Sequence, residues 1–100
     1  MIKPEDIGQY AREKHVKHGE EAINMLRPIQ LMKFRARAHK GSWDNVPIVS
    51  LLTLLMDEVM ELKKAIEDRS AGIATSGDVI YECADVANYA AMIADNLKRG

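Results

Sequence analysis

Apolar residues along this chain recur at helical rather than strand spacing, most regularly in its second half. Ile48, Leu52, Leu55, Val59, Leu62 and Ile66 follow one another in steps of four and three, which puts them on one face of a helix. Arg69-Ser70-Ala71-Gly72 closes that helix, and the small residues from Gly72 to Gly77 form a loop. Val79, Cys83, Val86, Ala90, Ile93 and Leu97 then repeat the same steps. Ser76 or Asp78 is the expected N-terminal cap of this last helix, and Lys98 and Arg99 sit at its end, where the dipole favours cations. Two stripes of this length predict a pair of helices packed at a shallow angle, as in a bundle.

The first half is less regular. Pro4 suits a first helical turn with Glu5 and Asp6 behind it, and the pattern predicts a short helix over 4–18 that stops at Gly19. Its apolar content is thin (Ile7, Tyr10, Ala11 and Val16), so residues 1–25 read as a segment appended to a single domain spanning 1–100. Pro28 predicts a helix start or a kink, and Ile29, Leu31, Met32, Phe34 and Ala38 predict a partly apolar helix over 29–39. Lys40-Gly41-Ser42-Trp43-Asp44-Asn45 follows as a loop. No strand pattern or internal repeat competes. The expected fold is all-α and four-helix bundle-like, and with 100 residues such a bundle has a marginal core on its own.

Composition narrows the function classes. With 47% hydrophobic and 29% charged residues the chain is too apolar to be disordered, and an aromatic content of 5% favours helix over sheet. A net charge of −1 argues against a dedicated nucleic-acid binder. The charge is unevenly spread: residues 1–46 carry nine Lys/Arg against six Asp/Glu, and residues 47–100 carry five against nine. One half therefore suits phosphates and the other a cation. The single cysteine, Cys83, excludes an internal disulfide and reads as a small core residue. The apolar stretch from Val46 to Met56 is too short to span a bilayer, and no apolar leader precedes it, so a cytoplasmic protein without membrane contact is expected.

The candidate chemistry lies beside the two regular stripes. Glu58 and Glu61 are three residues apart on one helix, and Glu82 and Asp85 repeat that spacing on the next. At about 100° per residue, Glu58 and Glu61 fall about 60° and 120° to one side of Leu55. Glu82 and Asp85 fall about 40° and 100° to the same side of Val86. Ordinary solvating charges belong opposite the core, as Asp57, Glu67, Asp68 and Asp95 are expected to be. Four carboxylates flanking a seam repel one another and lose hydration unless a cation joins them. Oxygen donors without His or Cys suit Mg²⁺, or Mn²⁺ in its place, and Mg²⁺ draws further ligands from phosphate. A nucleotide polyphosphate is the expected substrate.

The run Asp57-Glu58-Val59-Met60-Glu61-Leu62, a linker, and then Glu82-Cys83-Ala84-Asp85-Val86-Ala87-Asn88-Tyr89 resembles the MazG-like all-α nucleoside triphosphate pyrophosphohydrolases. That superfamily also contains the dimeric dUTPases and dCTP pyrophosphatases, and the likeness spans about Phe34 to Asn96. The resemblance implies a MazG-type fold completed by oligomerisation, as a homodimer or homotetramer. It implies that Glu58, Glu61, Glu82 and Asp85 hold Mg²⁺, and that a nucleoside triphosphate is split into a monophosphate and pyrophosphate. It also implies that Trp43 packs near the base and that Tyr89 contacts substrate. Metal-assisted attack of water at the α–β linkage would follow, with Glu58 or Glu61 accepting the proton.

Several residues carry two readings at this level. Trp43 either covers a nucleobase or fills a gap between helices. One of Lys40, Arg37 and Arg35 is expected to neutralise phosphate. Asn96 and Asn88 are candidates for hydrogen bonds to ligand or to water around it. Two other functions compete with the enzyme: a non-catalytic oligomerisation or regulatory module with acidic flanks, and a nucleotide-binding pseudoenzyme.

Overall fold

A computed structural model describes residues 3–100. Among them three α-helices and one short 3-10 turn account for all regular structure: α1 (Pro4–Ala36), the turn Ala38–Lys40, α2 (Ile48–Ser70) and α3 (Ser76–Arg99). The all-α expectation is met, but the helices number three rather than four. The two helices predicted over 4–18 and 29–39 are one element of 33 residues, with Gly19 and Pro28 inside it. A glycine weakens a helix by about 1 kcal/mol without stopping it, and a proline removes one backbone bond. Between them Glu20, Glu21, Ala22, Met25 and Leu26 favour helix strongly enough to carry it through.

The ends of α2 and α3 form a compact hairpin. At the end of α2 the N–H of Gly72 donates to Arg69 O and that of Ile73 to Asp68 O, and Gly72 adopts φ 78°, which only glycine takes up without strain. The cap of α3 is Thr75, one residue before the predicted Ser76. Its hydroxyl accepts from Asp78 N at 3.2 Å, and the Asp78 carboxylate accepts from Thr75 N at 2.8 Å. The hydrogen bond from Thr75 N lowers the Asp78 pKa, and the Thr75 side chain adds to the effect. Ser76 instead receives the Arg69 Nε–H at 2.7 Å across the loop.

α3 is the central helix. It packs along α2 and against the second half of α1, while α1 and α2 do not meet. The fully buried apolar residues are Leu51 and Ala84. Ala84 has no bulk beyond Cβ, which lets the helix axes approach. The single stripe read on α2 divides in space: Ile48, Leu55 and Leu62 turn towards the interior, whereas Leu52, Val59 and Ile66 stay largely exposed. Almost every side chain of α1 before Leu26 is exposed as well. No helix among the described residues is long and apolar enough to cross a membrane.

Candidate metal centre and adjoining cavity

The α2–α3 pairing brings Glu58, Glu82 and Asp85 together. One carboxylate oxygen of each lies within 4.8 Å of the others. Asp85 is buried, and Glu58 and Glu82 are partly so. Glu61, the fourth residue of the expected set, is exposed and lies outside this group. Burial raises the pKa of Glu58, and the charges of Asp85 and Glu82 add to the effect, while Arg37 and Lys33 oppose it. Like-charged groups held this close repel, and a cation or a proton relieves that repulsion. Every donor is a carboxylate oxygen, the set that hard divalent cations take.

Positive charge already reaches the cluster from α1. Lys33 Nζ lies 2.7 Å from Asp85 Oδ2, and Arg37 Nη2 lies 4.0 Å from Oδ1. Lys33 is only 6% exposed and sits over the face of Tyr81, 3.3 Å from the ring centroid. Lys33 is not among the candidates that the sequence suggests. The signal was present: Lys33, Arg37 and Lys40 follow the same steps of four and three that mark the apolar stripes.

A cavity of about 640 Å³ opens beside this ion pair. Lys33, Arg37 and Lys40 border it with Asp85, and Phe34, Trp43, Leu51, Leu54 and Met92 give it an apolar wall. Its size and its mixture of apolar surface with a few polar groups are those of small-molecule sites. Tyr89 also lines it, with its hydroxyl accepting from Arg37 Nη1 at 3.3 Å.

Trp43 is held rather than free. Its ring packs against Phe34 with centroids 5.3 Å apart, and its Nε1–H donates to Asp95 Oδ2 at 3.1 Å. Asp95, expected to be a solvated charge opposite its stripe, therefore has a structural partner. Its pKa is lowered, chiefly by the hydrogen bond from Arg99 and also by that from Trp43.

Of the two asparagines, Asn88 is 4% exposed and exchanges two hydrogen bonds with Gln30: its Oδ1 accepts from Gln30 Nε2 and its Nδ2 donates to Gln30 O. It borders the cavity but is committed to joining α3 to α1. Asn96 does not line the cavity; its amide donates to the carbonyls of Trp43 and Val46, which fastens the loop to α3. The Oδ1 of Asn96 is buried without a partner. Arg35 is exposed and outside the lining.

Comparison with known proteins finds no family model, no curated protein and no solved structure that matches this chain.

Proposed function

We propose that the chain is a Mg²⁺-dependent pyrophosphohydrolase that splits nucleoside triphosphates into a monophosphate and pyrophosphate. The observation that carries this reading is one juxtaposition. A three-carboxylate cluster shares Asp85 with a cavity that has an apolar wall and a row of three cations. Each part suits one portion of such a substrate: the apolar wall with Trp43 the base, the cations the phosphates, the acids a divalent ion.

Glu58, Glu82 and Asp85 are the residues proposed to hold Mg²⁺, with Mn²⁺ able to replace it. The ion supplies neutralisation of the triphosphate and activation of water. Arg37 and Lys40 bind and orient the phosphates, and Tyr89, hydrogen-bonded to Arg37, fixes that guanidinium. Glu61 is the carboxylate left free of the cluster, and it accepts the proton as the water oxygen bonds to the α-phosphorus. The bond from that phosphorus to the bridging oxygen breaks, and pyrophosphate leaves. The proposed setting is the cytoplasm, where such substrates are abundant.

A second reading, a non-catalytic helical module, draws on the apolar residues left exposed along α1 and α2, among them Val16, Ile23, Met56 and Met60. One assay separates the two. Purified protein is incubated with a panel of ribo- and deoxynucleoside triphosphates, with Mg²⁺ or with EDTA, and pyrophosphate is measured. Metal-dependent release that falls by at least about a hundredfold in D85N and in E82Q supports the enzyme, since losing a ligand group from a reacting centre typically costs that much. An intact helical protein that turns over no nucleotide supports the module.

A further inference from the structure

We propose that Lys33 is an exchangeable counter-ion. It neutralises Asp85 until a divalent cation claims that carboxylate, and it then pairs with the incoming polyphosphate, so that metal and polyphosphate bind with positive coupling. The inference rests on the reading of the cluster as a metal centre and concerns how that centre is filled.

Both oxygens of Asp85 face cations, with Lys33 at 2.7 Å from one and Arg37 at 4.0 Å from the other. A metal ion that takes Asp85 therefore competes with positive charge already beside it. The two cations differ in what they lose. Arg37 is half-exposed to solvent and also donates to the Tyr89 hydroxyl. Lys33 is 6% exposed, and Asp85 is its one hydrogen-bond acceptor among the described residues, with the Tyr81 ring as its other neighbour. Deprived of Asp85, its ammonium would be a buried charge without a partner, which is strongly unfavourable. Lys33 also borders the cavity that Arg37 and Lys40 line. An anion of several charges entering there restores the partner that the metal has taken. Free metal alone is thus opposed by Lys33, whereas metal arriving with a polyphosphate is helped by it. A lysine suits this exchange better than an arginine, because its ammonium is a compact charge on a flexible four-carbon stem with no fixed fork to satisfy.

The test uses the whole protein, Mn²⁺ as the metal and inorganic tripolyphosphate as the anion. Binding of free Mn²⁺ and of the preformed Mn²⁺–tripolyphosphate complex is measured by titration calorimetry on wild type, K33M and K33R. K33M should bind free Mn²⁺ about tenfold more tightly than wild type and the complex about tenfold more weakly, within the usual range of coupling between sites. K33R, which keeps the charge and grips a carboxylate with two donors, should bind free Mn²⁺ more weakly than wild type, and it provides the answer should K33M fail to fold. If Lys33 only joined α1 to α3, K33M would weaken both ligands together, and that result overturns the proposal. Wild type that binds both ligands while K33M and K33R leave them unmoved also overturns it and spares the enzyme reading. Wild type that takes up neither ligand removes the metal centre itself and the exchange with it.

Discussion

At Glu58 the fold works against ionisation, because burial and the nearby Asp85 and Glu82 raise its pKa. A carboxyl whose folded pKa lies above its unfolded one holds more protons folded than unfolded between the two values. Stability therefore falls as pH rises through that interval, and the full penalty persists above it. E58Q removes the penalty. Its melting temperature without metal is expected to exceed that of wild type at pH 7, and the two should converge as pH drops below the ordinary glutamate range. A difference that stays constant with pH would assign the effect to packing instead. Saturating Mg²⁺ should reverse the order, since ligand that binds only the folded state stabilises it and E58Q has lost a donor. At this scale the acid pairs were legible because i, i+3 spacing beside a stripe fixes direction. Which of the four would turn inwards was not: Glu58 and Glu61 are only about 60° apart on the wheel, and only the packing of α3 against α2 separates them. The row Lys33, Arg37 and Lys40 is visible as a helical stripe, but that Lys33 is its buried member shows only once Asp85 stands across the interface.

At the scale of elements, the clearest stability test concerns the start of α3, whose first turn precedes Glu82 and Asp85. T75A removes the hydroxyl that accepts from Asp78 N and should cost about 1 kcal/mol, read as a lower urea midpoint with unchanged slope. Because the cap lies outside the cluster and the cavity lining, the affinity for Mn²⁺ of the folded variant should not move. The extents of α2 and α3 were readable from their periodicity. The length of α1 was not, because Gly19 and Pro28 are the residues that end most helices, and their cost is outweighed only when neighbours of strong helical propensity flank them. The stripe on α2 was also read as one seam. Val49, Leu52, Met56, Val59 and Ile66 form a second row at steps of three and four, with Lys63 in the same line, and that row faces away from α3.

For the molecule as a whole, the exposed area is too large for a compact monomer. The chain presents 7778 Å², against about 5,700 Å² expected for a compact protein of its mass of 11.2 kDa. Its radius of gyration is 17.6 Å, where about 13 Å is usual for this length. The excess is more than twice the area of roughly 800 Å² that each partner contributes to a standard interface. A second copy of the chain is the partner proposed to cover it, with the outer row of α2 at the contact. Light scattering after gel filtration should then give twice 11.2 kDa for wild type and 11.2 kDa for M56K, since Met56 is 61% exposed in the isolated chain. A folded wild type that stays monomeric at tens of micromolar would exclude the pairing.

The dependence of α1 on α3 alone also has a consequence in time. Gln30 meets Asn88 and Lys33 meets Asp85 across 58 and 52 residues, so α1 leaves the ribosome well before the helix it docks on. At ordinary translation speed that is a wait of roughly 3–12 s. Throughout it Leu26, Ile29 and Phe34, partly buried in the finished fold, face water, and the newborn chain offers a chaperone an apolar patch before the acid cluster exists.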